Sequence, residues 1–373
     1  VSEAQERGLD GTSASGTVAV RDGEQLDVSA LREWMVATNP VLVPAGSALD
    51  VRQFPSGFSN LTYLVSVHHA PARLRFVLRR PPHGVGPGIA HDMTREHGLL
   101  TALHPLGVPV PRPVAVCTDP TVLGAPFYLM EHVDGVILRG APSEALLQDP
   151  ALPARMTALS RTFVSTLAHL HAVRVDGTPL AALGKPDGYV QRQVQGWTRR
   201  WESSRIAPVR TLDMVAAWLD ANRPPERGVA LVHNDFKLDN LVLEPDLSRV
   251  RAILDWEMAT VGDPLMDLGT TLAYWVEAND APVFRSLGLG ITALPGAFTR
   301  AELVTAYAEA SGREVQDVSF YYAFGLFKVA VIAQQIYARF VNGKTADPRF
   351  GRLGAVVAAL GEAAAESIEK RKL

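Results

Sequence analysis

At 373 residues the chain is long enough for two cores, and 47% hydrophobic and 20% charged residues with a formal net charge of −3 are an ordinary soluble composition. The absence of any Lys/Arg block argues against a nucleic-acid surface, and one cysteine, Cys117, excludes an intrachain disulfide and a cysteine-rich zinc site. No run of about 18 uncharged apolar residues suggests a membrane span, and residues 1–26 lack the apolar segment of a secretory signal and read as a mobile tail. A cytoplasmic setting is the expectation.

Asp27 is placed to cap a first helix that turns Leu31, Trp34 and Met35 inward. Strand-like runs follow at 51–54, 61–67 and 74–79, joined tightly enough for an antiparallel sheet. Beyond a Pro/Gly-rich loop at 83–88, the spacing of Met93, Leu99, Leu100 and Leu103 predicts a helix over 90–104. Two more strands follow, near 114–117 and 127–131. After Asp134-Gly135 the period changes. Met156, Leu159, Phe163, Leu167 and Leu170 recur at helical spacing, and further helices are predicted around 188–202 and 211–221. A short apolar run at 229–232 precedes His233, and 241–243 with 250–254 reads as a small hairpin turning at Pro245-Asp246. The remainder is helical: Thr299 and Glu302 have capping-box spacing, and helices are expected over 320–340 and 355–368. Strands first and helices later predict an α+β chain of two lobes, with a tail over 1–26, a first lobe over 27–132 and a helical lobe over 133–373.

The segment His233-Asn234-Asp235-Phe236-Lys237-Leu238-Asp239-Asn240, followed by Ile253-Leu254-Asp255-Trp256, carries the strongest chemical signal. Phosphoryl transfer needs a carboxylate to orient the attacking hydroxyl, oxygen ligands for Mg²⁺ and cations around the moving group. Asp235 can supply the first, Asn240 with Asp255 the second and Lys237 the third. The hairpin between the two segments can return Asp255 to the side of Asn240, and a carboxylate beside an amide oxygen suits Mg²⁺.

These motifs resemble the aminoglycoside phosphotransferase and choline-kinase-like family, most closely the branch fused to some acyl-CoA dehydrogenases. The resemblance runs from about Val28 to the last helices. It implies a protein-kinase-like fold, with a small antiparallel-sheet N-lobe that binds ATP and a larger helical C-lobe. By the same resemblance Asp235 is catalytic, Asn240 and Asp255 are metal ligands, and Asp267 of Gly262-Asp263-Pro264-Leu265-Met266-Asp267-Leu268 braces the catalytic loop. In the first lobe, Gly57, Phe58, Ser59 and Asn60 match the turn covering the ATP phosphates. Glu96 would pair with the basic residue that holds them, here Arg79 where the wider family has Lys. The strand end from Met130 to His132 resembles the hinge at which adenine is read.

His68-His69 reads as a surface turn, because adjacent strand residues point to opposite sides. Gly84-Val85-Gly86-Pro87-Gly88 lacks the Lys-Ser/Thr of a Walker loop. The resulting expectation is an ATP- and Mg²⁺-dependent kinase of a small-molecule hydroxyl, the branch resemblance pointing to a hydroxyacyl-type acceptor. Two alternatives stand beside it: an aminoglycoside or other amino-alcohol kinase, and a nucleotide-binding module without turnover.

Overall fold

Asp27 caps α1 (Val28–Thr38): its carboxylate accepts from the Ala30 amide, and Leu31 and Met35, one turn apart, are buried. The structure, a computed structural model, describes residues 16–55, 60–82, 91–284, 290–345 and 347–373. The chain divides into two compact units, Val1–Asp134 and Gly135–Leu373.

The first unit is a five-stranded antiparallel sheet of β1 (Ala48–Gln53), β2 (Leu61–His69), β3 (Ala72–Arg80), β4 (Pro113–Cys117) and β5 (Phe127–Glu131), in the order β1-β2-β3-β5-β4. Side chains two apart share a face: Tyr63, Val65 and Val67, with Phe76 and Leu78, and with Phe127 and Leu129, enter one core with Leu31 and Met35. Trp34 meets Phe127 edge-on, with ring centroids 4.8 Å apart. Helix α2 (Met93–Leu103) begins three residues later than the apolar spacing suggested, because Asp92 accepts from the Arg95 amide and starts it. His68 and His69 are exposed at the end of β2.

Residues 17–26 of the expected tail pack on the first unit, and residues 1–15 lie outside the described residues. Val18 pairs with Gln53 through two backbone hydrogen bonds, Arg52 Nε donates to Thr17, and the Tyr63 hydroxyl donates to the carbonyl of Glu24. Polar composition hid this segment, because it is held by backbone hydrogen bonds and Thr17, with only Val20 and Leu26 packing on the apolar core.

The second unit is mostly helical: α3 (Leu152–His171), α4 (Tyr189–Ser204), α5 (Arg210–Ala221), α6 (Pro264–Tyr274), α7 (Arg300–Ser311), α8 (Val318–Val341) and α9 (Leu353–Lys370). The Thr299–Glu302 capping box forms at the head of α7. Two small antiparallel pairs complete the unit: β6 (Ala230–Val232) with β9 (Thr260–Gly262), and β7 (Leu241–Leu243) with β8 (Val250–Ile253). The hairpin was legible; β9 was not, since three residues display no period.

Every residue of α6 is buried, so it forms the centre of this unit. Helix α8 crosses it closely, at two glycines. A Cβ on Gly325 would stand 2.1 Å from the Gly269 carbonyl oxygen, and one on Gly269 equally close to that of Tyr321. Among the described residues α8 alone is long and apolar enough to cross a membrane. Its Phe320–Gln334 stretch is instead largely buried inside the second unit.

Candidate active site

Strand β6 ends at Val232, and the chain then turns through His233-Asn234-Asp235. Asn234 takes φ 65°, a left-handed conformation that Asn tolerates better than most residues. The turn hangs from Asp267, one turn into α6 behind its N-cap Asp263, which accepts from the Leu265 amide. Asp267 Oδ2 accepts from the His233 amide at 2.6 Å and Oδ1 from the Asn234 amide at 2.8 Å, while His171 Nε2 lies 3.1 Å from Oδ2. Burial alone would raise this fully buried carboxyl, but His171, His233 and the amides outweigh it and hold Asp267 below the usual carboxylate range.

The Asn234 side chain is fixed as well. Its Oδ1 accepts from the Tyr189 hydroxyl at 3.0 Å, and its Nδ2 donates to the Met258 carbonyl at 3.1 Å. Tyr189 lies where a side chain at 262 would go, since a Cβ on Gly262 would meet its ring at 2.6 Å. The Asp235 amide donates to His233 Nδ1 at 3.3 Å, and Nε2 donates to the Leu254 carbonyl at 3.0 Å. Burial depresses the pKa of His233. It is a packed link between the two motifs, with both ring nitrogens engaged.

Asp235, the expected orienting carboxylate, is met from three sides. Lys237 Nζ lies 3.2 Å from Oδ1 and 3.0 Å from Oδ2. Asn240 Nδ2 donates to Oδ2 at 2.8 Å and to the Asp235 carbonyl at 2.9 Å. The Tyr274 hydroxyl bonds to the same carboxylate, and its ring lies 4.7 Å from Lys237 Nζ. Burial pushes the Asp235 pKa up, yet the charge of Lys237 and these hydrogen bonds bring it below its ordinary value; Asp235 in turn outweighs burial at Lys237 and raises that pKa. Both groups are charged at neutral pH.

The register of β7 with β8 sets Leu241 opposite Ile253, and the Leu254 amide donates to the Asn240 carbonyl at 2.8 Å. Asp255 therefore follows beside Asn240, also at φ 65°. The Asn240 amide nitrogen is spent on Asp235, so Oδ1 is the end it can offer a cation. An amide oxygen and a carboxylate are hard ligands that fit Mg²⁺. Among the described residues no cluster of three or more His, Cys, Asp or Glu is placed to hold a metal, so the other oxygens would come from phosphate and water.

A small pocket opens beside Lys237 and Asp239, with Leu138, Phe163, Tyr274, Trp275 and Ile291 in its wall. Arg139 donates through Nε and Nη2 to the carbonyl of Asp239.

In the first unit the structure brings Arg79 and Glu96 together: Nη1 and Oε1 are 2.6 Å apart and both side chains are nearly buried. Gly57, Phe58 and Ser59 lie outside the described residues. Asn60 is buried, with Oδ1 3.0 Å from His91 Nδ1. Met130 pairs with Val77, and the amides of Glu131 and His132 donate to the carbonyls of Arg112 and Arg75. The amides of Glu131 and His132 are thus engaged within the first unit. The His132 and Phe54 rings lie parallel, with centroids 6.5 Å apart.

Sequence reasoning missed Tyr274, Tyr189, His171 and Lys328, all of which contact the loop or its brace. Tyr274 lies seven residues after Asp267 on one helix, and Lys328 interrupts an apolar run; both were available signals. Tyr189 and His171 sit on distant segments with no local sign.

Residues 50–312 match the phosphotransferase enzyme family (APH). The chain is 35% identical over 339 residues to acyl-CoA dehydrogenase family member 11 of Gallus gallus, covering 88% of this chain and 42% of that protein. It therefore spans less than half the length of the acyl-CoA dehydrogenase relatives it matches. A Ralstonia eutropha protein described only by assignment to the aminoglycoside phosphotransferases superposes with a TM-score of 0.77 at 30% identity, over 93% of this chain and 99% of that one. Choline kinase of Cryptosporidium parvum shares the fold alone, with a TM-score of 0.59 and 12% identity over 92% and 97% of the two chains. With a sheet unit, a helical unit and a loop built on Asp235, Asn240 and Asp255, the chain belongs to the phosphotransferase enzyme family, on the kinase-like fold of small-molecule phosphotransferases.

Proposed function

We propose that this chain transfers the γ-phosphoryl group of ATP directly to a hydroxyl of a small molecule, in a reducing, cytoplasmic setting. The observation that carries the reading is the convergence of Asp235, Lys237 and Asn240 within hydrogen-bond distance, with Asp255 delivered beside them by the hairpin. Asp235 is ionised and held by three neighbours, which suits it to accept a hydrogen bond from the acceptor hydroxyl and aim its oxygen. Asn240 and Asp255 would hold Mg²⁺, which when bound offsets phosphate charge. Lys237 places a fixed cation next to the attacking group, and Arg79, kept in place by Glu96, is the phosphate-binding residue of the first unit.

The acceptor we propose is a hydroxyacyl-type molecule. The pocket beside Asp239 is walled by Leu138, Phe163, Tyr274, Trp275 and Ile291, with Asp239 its one carboxylate, a lining suited to an alkyl chain that carries a hydroxyl. A polycationic amino-alcohol needs several acids gathered in one place, and three of the acids of this unit are paired with its own side chains. Asp213 holds Trp201 and Arg205, Asp220 holds Arg223, and Glu277 holds Arg300.

The test is direct detection of phosphorylated product from ATP, Mg²⁺ and a panel of hydroxyacyl acceptors and aminoglycosides. Product from the hydroxyacyl set is expected, and Asp235→Ala should lower turnover by about 10²–10⁴-fold with nucleotide binding retained. Tight Mg·ATP binding without product across the whole panel would instead favour a non-catalytic nucleotide module.

A further inference from the structure

The loop that presents Asp235 is gripped by a residue the reaction chemistry does not call for. Lys328 lies in the middle of α8 and is 1% exposed. Its Nζ donates to the main-chain carbonyl of Asn234 at 2.5 Å. That carbonyl belongs to the left-handed residue immediately before Asp235, and its peptide plane sets the direction in which the Asp235 side chain leaves the backbone. The ammonium also lies 5.6 Å from the centroid of the Trp197 ring, on α4. Asp267, Asp235, Lys237 and Arg200 are the charged groups that act on it; burial outweighs the two acids, and its pKa falls to about 8.

An apolar side chain would suit this place better on stability grounds alone, because a buried ammonium loses hydration that one carbonyl and one ring restore only in part. The fold nevertheless delivers Lys328 to this spot. The glycine crossing of Gly269 and Gly325 draws α8 against α6, and Lys328 follows Gly325 by one turn. The Tyr189 hydroxyl holds the Asn234 side chain, and Asp267 holds the Asn234 amide. Asn234 is thus engaged at its amide, its carbonyl and both ends of its side chain.

We infer that Lys328 is a positioning residue for phosphoryl transfer: with Tyr189 it locks the left-handed Asn234 peptide and thereby aims Asp235. The inference deepens the kinase reading and rests on it for the reaction, but the lock itself can be observed without turnover.

The experiment compares wild type, Lys328→Met, Lys328→Arg and Tyr189→Phe. It follows phosphoryl transfer to the acceptor that wild type uses, and amide hydrogen exchange over residues 232–237. Lys328→Met should lower kcat about tenfold or more with the KM for ATP within twofold, and should speed exchange of the loop amides at least tenfold while exchange in α6 and α8 keeps its wild-type rate. Lys328→Arg, which retains donors, should recover part of both effects. Wild-type kcat together with wild-type loop exchange in Lys328→Met overturns the inference. Should Lys328→Met not fold, Tyr189→Phe decides alone: loosened loop exchange with a kcat-only loss supports the lock, and unchanged values in both overturn it. Should wild type phosphorylate no acceptor while Lys328→Met still loosens the loop, the kinase reading fails and the lock stands.

Discussion

Replacing Asp267 with Asn tests how the catalytic loop is held. In the folded chain this carboxylate accepts from the amides of His233 and Asn234 and faces His171 Nε2, with no exposure to solvent. Asn keeps one acceptor oxygen and places an NH₂ where the other oxygen was, so at least one buried N–H would face a donor. A hydrogen bond to a charged group contributes roughly 1.5–3 kcal/mol, and removing one partner of a buried pair costs roughly 3–5 kcal/mol. Asp267→Asn should therefore destabilise the second unit by about 3–5 kcal/mol at neutral pH. Urea unfolding followed by tryptophan fluorescence reads it, because Trp256 packs on His233 with centroids 4.8 Å apart and reports on this loop. The pH dependence has a defined sign. The folded pKa of Asp267 lies below its unfolded value of 3.8, so its contribution is complete above that value and is lost as pH falls through the folded pKa. The gap between wild type and Asp267→Asn should stay flat from neutrality down to about pH 5 and close only at lower pH. A loss under about 1 kcal/mol at neutral pH, or a gap that closes between pH 7 and 5, would refute the brace.

Two further predictions concern the proposed nucleotide and acceptor sites. Glu96→Ala leaves Arg79 nearly buried without its carboxylate partner, so the first unit should lose about 3 kcal/mol in chemical unfolding and ATP affinity should fall in calorimetry. Leu138→Glu adds a charge to the pocket wall and should raise the KM for an apolar hydroxyl acceptor about tenfold. The KM for ATP in the same initial-rate assay should stay unchanged.

Local rules made much of the architecture legible from the chain alone. Asp27, the Thr299–Glu302 box and the apolar period of 156–170 mark helices through capping and a 3.6-residue repeat. These are short-range effects that neighbouring residues decide among themselves. Asp235, Asn240 and Asp255 were legible for a related reason: a strand end and a tight hairpin bring them together over some twenty residues, so spacing nearly dictates geometry. Only the tertiary structure decided the packed segment at 16–26, the pairing of Thr260–Gly262 with Ala230–Val232, and the grip of Tyr189, His171 and Lys328 on the loop. Those contacts join segments tens of residues apart, and they depend on close helix crossings at glycines and on desolvated polar groups finding partners. No local window of sequence carries that information, because the free energy involved is released only when the distant surfaces meet.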